Sequence, residues 1–313
     1  MSVPALRCEG LGKDYLSGFL RRKYVGLADL DLEVPQGSSF GFIGPNGAGK
    51  TTTIKILMGL QSATAGRAWI HGVPVPEPAS RARVGFLPER PYFYEHLTAG
   101  EFMEFYARLC EVPARERGPR IARLLERVDL ARFRDVPLRT FSKGMLQRAG
   151  LAQALVADPD LLVLDEPMSG LDPLGRALVR DLIVEERTAG KTVFFSSHVL
   201  SDVEALCDRV AIVVGGRHRG QGTVRELLGQ TVLHVDVCIA GAVQAGEGWT
   251  ARAGAVTQLE VPPDAVDRTL DSARAAGGSI LSVVPCTRTL EDVLLDEVER
   301  ARPVDAKRLG VLA

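Results

Sequence analysis

The stretch that decides the fold is Gly44-Pro45-Asn46-Gly47-Ala48-Gly49-Lys50-Thr51, which matches the pattern G-x-x-x-x-G-K-[ST]. It follows Ser39 to Ile43, an apolar run typical of a strand, and precedes Thr51 to Leu60, which has helical spacing. Glycines let the backbone curl so that successive N–H groups point at phosphate oxygens, and the N-terminus of the helix adds positive partial charge. The sequence therefore predicts a strand, a phosphate-binding loop and a helix in succession.

Two side chains of this loop carry specific chemistry. Lys50 is expected to neutralise charge on the β- and γ-phosphates, and the Thr51 hydroxyl is expected to bind Mg²⁺. The predicted nucleotide-binding residues of the segment are Gly44, Pro45, Asn46, Gly47, Ala48, Gly49, Lys50, Thr51 and Thr52.

A second acidic element lies further along the chain. Leu161 to Leu164 is a continuous apolar run, typical of a strand buried on both faces of a parallel sheet, and Asp165 and Glu166 follow it directly. Ligands of open α/β folds bind at the carboxyl ends of such strands. We expect Asp165 to act as a Mg²⁺ ligand and Glu166 to polarise an attacking water.

The order of elements predicts an α/β architecture. Apolar strands at Leu161 to Leu164, Val193 to Phe195 and Val210 to Val214 alternate with helical stretches, and roughly Leu97 to Ala157 is mainly helical in pattern. Composition changes beyond the Gly- and Arg-rich stretch Gly215 to Gly222. A small α+β unit is predicted there, with two strands and two helices: Thr231 to Ile239, Val266 to Ala276, Ile280 to Val284 and Leu290 to Arg300.

Composition excludes several classes of protein. The 313 residues include 38 basic and 39 acidic side chains, a net charge of −1, which argues against a protein that coats nucleic acid. No apolar run approaches the ~18–20 residues that span a bilayer, and no secretory signal is visible, so we expect a cytosolic chain. The five cysteines lie far apart, which favours free thiols over disulfides or zinc ligands: Cys8, Cys110, Cys207, Cys238 and Cys286.

From Leu6 to Gly222 the sequence resembles the nucleotide-binding subunit of an ABC transporter. The resemblance implies a P-loop NTPase fold of ABC ATPase type, with ATP and Mg²⁺ as ligands, over residues 1–222. It also implies a helical subdomain at about 92–158, followed by a carboxy-terminal regulatory or dimerisation domain over 223–313. Further implied partners are a second copy of the chain and an integral-membrane permease that holds it at the cytoplasmic face of the membrane, with no nucleic acid.

The resemblance assigns roles to further residues. Phe141-Ser142-Lys143-Gly144-Met145 lies where the family has its signature segment, so Ser142 and Gly144 are expected to face the γ-phosphate held by the second copy. Ser142 is also a good N-cap for the helix that follows it. Ser169 to Asp172 resembles the D-loop, His198 the switch histidine, and Tyr15 the aromatic that stacks on adenine.

Two departures from the family pattern stand out. Glu89, in Phe86-Leu87-Pro88-Glu89-Arg90, replaces the usual glutamine and puts a carboxylate near the predicted metal, as a further metal ligand and catalytic residue. In the signature segment, Lys143 and Met145 replace a glycine and a glutamine. Activity is expected, with altered dimer contacts at Met145.

Some features allow two interpretations. Aromatic residues around Pro91 to Tyr94 and Phe102 to Tyr106 indicate either the core of the helical subdomain or a groove for a helix of the membrane subunit. Thr289 to Val293 resembles a motif near the end of exporter subunits, where a regulatory role and passive packing are both open.

The main interpretation is an ATPase that powers a separate exporter. The alternative is a soluble ABC ATPase of translation or DNA repair, which usually carries two ATPase units, a coiled coil or a zinc insertion. A GTPase of the N-K-x-D type is excluded because Asn46 is the sole asparagine. A small-molecule kinase would leave the signature segment, the D-loop and His198 unexplained.

Overall fold

The computed structural model describes residues 3–17, 22–229, 232–240, 250–252 and 256–308. These residues divide into two units, the first running up to Val224 and including those from Asp296 onward, the second spanning Arg225–Leu295. The strands of the first unit are β1 (Leu6–Ser17), β2 (Arg22–Val34), β3 (Ser39–Ile43), β4 (Ala65–Ile70), β5 (Val73–Pro74), β6 (Val84–Leu87), β7 (Leu161–Asp165), β8 (Thr192–Ser197), β9 (Arg209–Val214) and β10 (Arg217–Thr223). The helices between them are α1 (Lys50–Leu57), α2 (Ala99–Leu109), α3 (Ala114–Arg127), α4 (Lys143–Ala154), α5 (Pro173–Thr188) and α6 (Leu200–Leu206).

The remaining elements follow the end of β10. They are α7 (Val224–Leu228), β11 (Val232–Ala240), β12 (Thr250–Arg252), β13 (Val256–Val261), α8 (Val266–Ala275), β14 (Ser279–Thr287) and α9 (Leu290–Arg308). Thr231, the predicted start of the strand β11, lies outside the described residues. The two predicted strands and two predicted helices are present as β11, α8, β14 and α9, but the prediction missed β12 and β13, which lie between β11 and α8.

A six-stranded sheet carries the elements of interest, in the order β10-β9-β3-β8-β7-β6. Strands β9 to β6 are parallel, and β3, β7 and β8 are buried along their whole length. Their apolar runs have no polar face because both sides of a parallel sheet are covered. The carboxyl ends of these strands therefore meet at one edge, where the phosphate loop begins. The predicted α/β class is confirmed.

The strand β10 corrects the interpretation of the Gly- and Arg-rich stretch. We assigned no secondary structure to residues 215–222, but Arg217–Thr223 pairs antiparallel with β9 at the edge of the six-stranded sheet. An edge strand has one ladder side open and needs no apolar run, so its polar sequence gives little sign of pairing.

A second sheet of antiparallel strands, β2-β1-β4-β5, covers the first. Helix α1 lies between the two sheets, because its apolar residues join a single buried cluster with residues of both. That cluster includes Leu11 of β1, Leu27 of β2, Phe42 of β3, Ile54 of α1 and Val163 of β7. Because α1 packs between the two sheets, its N-terminus is fixed next to the phosphate loop that precedes it.

Three helices, α2, α3 and α4, fall within the segment 92–158 that we expected to be helical. Helix α2 begins at a capping box in which Thr98 and Glu101 exchange hydrogen bonds with each other's backbone. Helix α3 begins at Ala114 and contains Pro119. The missing N–H of Pro119 removes one hydrogen bond of this helix.

The second unit has an antiparallel sheet in the order β12-β13-β11-β14. Val237, Ile239 and Leu259 are fully buried on one face of it, where they pack with Ala273 of α8. The alternate residues of β11 point to the other face and are half-buried. In neither unit does a described helix have the length and apolarity that crossing a bilayer requires.

Candidate active site

The phosphate loop (residues 44–51) connects β3 to α1 in a tight curl. A Cβ at Gly44 would lie 2.1 Å from the carbonyl oxygen of Val213, so only glycine fits against β9 at this point. Gly49 has φ 105° and occupies the N-cap of α1, where no side chain accepts a hydrogen bond from the first turn. The N–H groups of that turn therefore face the loop and are suited to an anion.

Lys50 is buried in the loop, with 7% of its surface exposed. Its Nζ donates to the carbonyl oxygen of Gly44 at 2.7 Å and lies 3.9 Å from Oε1 of Glu166. Burial lowers the pKa of the ammonium group, and the nearby carboxylates, Glu166 first, oppose that shift. A desolvated cation at the centre of a curled loop attracts an anion more strongly than a solvated one would.

Thr51, in the first turn of α1, lies beside Asp165, the last residue of β7. The Thr51 hydroxyl is 3.4 Å from Oδ1 of Asp165, and Ser196 donates to the same oxygen at 2.7 Å. Asp165 is 2% exposed, and burial raises its pKa. Hydroxyl and carboxylate oxygens are ligands that Mg²⁺ prefers, and a buried carboxylate needs a positive charge, so this pair fits a magnesium ion.

Glu166 and His198 form a contact above the loop. Nδ1 of His198 lies 2.7 Å from Oε2 of Glu166. The backbone N–H of Glu166 donates to Ser196 Oγ at 3.0 Å, and Gln147 Nε2 donates to the carbonyl oxygen of Pro167 at 3.2 Å. Glu166 has a left-handed backbone with φ 52°. Its backbone is therefore held by groups of α4 and β8, and its carboxylate is positioned by the contact with His198.

These residues line a cleft of about 460 Å³. The lining is formed by Tyr15, Tyr24, Gly26, Pro45, Asn46, Gly47, Ala48, Gly49, Lys50, Thr51, Thr52, Glu89, Glu166, Ser169 and His198. Tyr15 lies at its edge, where the phenol OH bonds Oε1 of Gln61 at 2.8 Å and contacts Thr52. Glu89 is exposed at the rim, just after β6. Gly44 and Asp165 lie beneath the lining, bonded by Lys50 and Thr51.

The signature segment lies elsewhere in the same chain. Ser142 caps α4 as predicted, with its Oγ accepting from the N–H of Met145 at 3.2 Å. Gly144 packs on the turn before α5, where a Cβ would lie 3.3 Å from Leu171. Neither Ser142 nor Gly144 is among the residues that line the cleft.

Sequence reasoning missed several residues of the cleft and its support, chiefly Ser196, Gln147 and Tyr24. Ser196 pairs with Asp165 in the parallel register of β8 and β7. A polar residue at the carboxyl end of an apolar run was a usable signal for Ser196. Gln147 is 3% exposed on α4, and only the packing of that helix against the turn after β7, where Gln147 bonds the carbonyl oxygen of Pro167, reveals its role.

The chain matches the family model "ABC transporter" over residues 27–169. An uncharacterized ABC transporter ATP-binding protein of Nostoc sp. (strain PCC 7120) is 42% identical over 303 residues, which cover 93% of this chain and 88% of that protein. The Nod factor export ATP-binding protein I of Cupriavidus metallidurans is 36% identical over 66% of this chain and 68% of its own length. A solved ATP-binding subunit of an ABC transporter superposes with TM-score 0.65 at 31% identity, over 71% of this chain and 91% of that one. The predicted ABC ATPase fold is thereby confirmed.

Proposed function

This chain belongs to the family of ABC transporter ATP-binding proteins, and from that premise we propose that it drives export through a separate integral-membrane subunit. Membership makes it an ATP-binding ATPase subunit of a transporter. The proposal adds that two copies close head to tail around two ATP molecules, and that the membrane subunit holds the pair at the cytoplasmic face. The relative named for Nod factor export supports the direction of transport.

The observation that carries the proposal is the contact between Glu166 and His198 above Lys50. The carboxylate of Glu166 lies 2.7 Å from Nδ1 of His198 and 3.9 Å from Nζ of Lys50. A carboxylate fixed beside a phosphate-binding cation is suited to take a proton from a water molecule that attacks the γ-phosphate. We assign Glu166 as the general base and His198 as the residue that orients it.

The phosphate chain of ATP is held by the loop 44–51 and by Lys50, whose desolvated charge offsets that of the phosphates. Thr51 and Asp165 would hold Mg²⁺, which supplies positive charge to the β- and γ-oxygens when bound. Glu89 at the rim would add an oxygen ligand to the same ion without being required for it, and we propose that Tyr15 at the edge of the cleft stacks on adenine.

The signature segment supports the head-to-tail pairing. Ser142 caps α4, and a helix N-terminus with a serine hydroxyl is suited to a phosphate. Because this end of α4 does not line the cleft of its own chain, we propose that Ser142 and Gly144 meet the γ-phosphate bound by the second copy. A symmetric dimer would then contain two such composite sites.

The aromatic residues after β6 support docking to the membrane subunit. Phe102 is 1% exposed and packs edge-on with Phe93, whereas Tyr92 and Tyr94 are 96% and 53% exposed. The cluster therefore has a core side and an open side. We propose that the open side receives a helix of the permease.

The carboxy-terminal part, 223–313, is proposed to regulate or stabilise the dimer. Its support is strand β14, which pairs on one side only among the described strands and exposes the apolar residues Leu281, Val283 and Val284. Such an edge is suited to pairing with another chain.

The test of the catalytic assignment is Glu166→Gln. The amide keeps the shape of the side chain but takes no proton, so hydrolysis should fall by about 10³-fold while ATP binding persists. The variant should accumulate as an ATP-bound dimer, measured by light scattering with and without ATP. Glu77→Gln, at an exposed site outside the cleft, should behave as the parent. Turnover near the parent rate in Glu166→Gln would remove the general-base assignment.

The test of the transport role is purification of the tagged protein from detergent-solubilised membranes. An integral-membrane protein should be recovered with it, and Tyr92→Ser with Tyr94→Ser should weaken that recovery while basal ATPase stays unchanged. Recovery with ribosomes or DNA instead would favour the soluble ATPase alternative.

A further inference from the structure

The second unit brings three different ligating side chains together on the open face of its sheet. His234 and Asp236 are alternate residues of β11, on the opposite face from the buried Val235 and Val237. Cys286 lies directly opposite His234 in the antiparallel pairing of β11 with β14. The sequence gives no sign of this cluster, because Cys286 is far from the other two residues along the chain.

The distances suit a single metal ion. One ligating atom of each residue, an imidazole nitrogen, a carboxylate oxygen and a thiol sulfur, lies within 4.8 Å of the other two. Nε2 of His234 is 3.4 Å from Oδ1 of Asp236. Tetrahedral bonds of about 2.0–2.3 Å separate neighbouring ligand atoms by roughly 3.3–3.8 Å. Rotation of the side chains is enough to reach that arrangement, since all three are on the same sheet face.

The charges around the cluster call for a cation. Asp236 lies directly opposite Glu260 of β13, and like charges in that position destabilise a sheet. Within the described part of the chain, the buried Oδ1 of Asp236 accepts no hydrogen bond. A divalent ion between these groups would satisfy Asp236, offset the acidic pair and stabilise the thiolate.

We propose that His234, Asp236 and Cys286 bind a divalent transition metal, Zn²⁺ by ligand chemistry, with the fourth position open to water. A set of one nitrogen, one oxygen and one sulfur suits Zn²⁺, whereas Mg²⁺ and Ca²⁺ prefer oxygen ligands alone. Binding releases the thiol proton to solvent and joins β11 to β14. The three ligands belong to the second unit, whereas the residues that line the nucleotide cleft belong to the first, and the proposal does not depend on the proposed export role.

The experiment titrates full-length, nucleotide-free protein with Co²⁺ and Zn²⁺ after the affinity tag is removed and metal is stripped. Excess Mg²⁺ keeps the oxygen ligands of the nucleotide cleft occupied. We expect one Co²⁺ per chain with a thiolate-to-cobalt charge-transfer band that Zn²⁺ removes. Cys286→Ser should abolish the band and weaken Zn²⁺ binding by about 100-fold or more, because even partners outside the ligand set are worth roughly 10–100-fold.

The matched control is Cys238→Ser, on the same face of β11 but outside the cluster. It should keep both the band and the affinity of the parent. Zn²⁺ should also raise the melting temperature of the parent and of Cys238→Ser, but not that of Cys286→Ser. A parent protein without bound Co²⁺, or a Cys286→Ser variant with parental affinity, would overturn the proposal. If Cys286→Ser does not fold, His234→Gln provides the second variant, with a weakened but visible band.

Discussion

The phosphate loop and the N-terminus of α4 are both suited to an anion, yet they differ in what surrounds them. At the loop, Lys50, Thr51 and Glu166 have partners from β7 and β8 within hydrogen-bonding or ion-pair distance. At α4, the hydroxyl of Ser142 caps its own helix, and Gly144 packs on the turn before α5. The phosphate loop is therefore a nearly complete site, whereas the N-terminus of α4 offers only a single anion-binding helix end. The N-terminus of α4 can act in catalysis only if another molecule brings a phosphate to it.

The largest effect is expected at the loop itself, from Lys50→Ala. The variant loses the buried ammonium group that faces the phosphates and leaves Glu166 without its cation, so hydrolysis should fall by about 10³-fold. The steady-state rate of phosphate release measures this. Lys55→Ala, an exposed lysine on the same helix, should stay within about twofold of the parent. If Lys50→Ala retained its activity, the phosphate loop would be no more important for hydrolysis than the N-terminus of α4, and the contrast between the two regions would be wrong.

A smaller effect is expected at the other region, from Ser142→Ala. Hydrolysis should fall by about 10²-fold, while ATP binding by the separate chain is unchanged because Ser142 does not line its cleft. Loss of the cap also costs about 1 kcal/mol of helix stability. Thr98→Ala, which removes a comparable cap from α2, controls for that loss and should hydrolyse ATP normally.

Mixing the two inactive variants sharpens the comparison. In a head-to-tail pair of one Lys50→Ala chain and one Ser142→Ala chain, one composite site is intact and the other carries both changes. An equimolar mixture should therefore recover about a quarter of the parental rate, since half of randomly formed pairs are mixed and each has one good site. No recovery would mean that the two regions do not meet across a dimer.

The next effect is on stability and its pH dependence, from Asp165→Asn. Burial raises the native pKa of Asp165, so the folded state holds this proton to higher pH than the unfolded state does. Its contribution to the free energy of unfolding is therefore fully present below the unfolded pKa, about 4, and is lost as pH rises through the native pKa. The asparagine variant has no such loss and should be the more stable protein at neutral pH.

Urea unfolding without nucleotide or Mg²⁺ at several pH values measures this difference. The stability gap between Asp165→Asn and the parent should open as pH rises above about 4, and Mg²⁺ should narrow it by stabilising the ionised carboxylate of the parent. Asp181→Asn, at an exposed site, should show no gap. If the free energy of unfolding had the same pH dependence in Asp165→Asn and the parent, burial would not destabilise the ionised form of this carboxylate.

The smallest effect is expected from Glu89→Gln at the rim. Glu89 is exposed, so solvent screens its charge and hydrolysis should change by less than about fivefold. The rate as a function of Mg²⁺ concentration measures this. If the hydrolysis rate of Glu89→Gln no longer depended on Mg²⁺ concentration as that of the parent does, Glu89 would be a required metal ligand. The nearly complete site at the phosphate loop would then extend to the rim of the cleft.

Local features of this site could be predicted from the sequence. The loop 44–51 and the cap at Ser142 depend on residues within a few positions of one another, so their patterns carry the whole signal. Asp165 and Glu166 could be placed because a fully buried parallel strand has a continuous apolar run that ends where the sheet ends.

Features that depend on register or packing could not be predicted in the same way. The bond between Ser196 and Asp165 needs the alignment of β8 with β7, and the role of Gln147 needs the packing of α4. The same reason hides the pairing of His234 with Cys286 across β11 and β14. Strand β10 was missed because an edge strand needs no apolar sequence.

The left-handed backbone at Glu166 places the stability of this chain in conflict with its ability to hydrolyse ATP. A glycine would relieve strain of about 1 kcal/mol or more at φ 52°, and an asparagine at position 165 would remove a buried charge. Libraries of this protein selected only for soluble yield should therefore enrich substitutions at these two acidic positions. Repeated selection of this kind would yield a more stable protein that binds ATP but does not hydrolyse it. A screen for stabilised variants therefore needs an assay of ATP hydrolysis in every round.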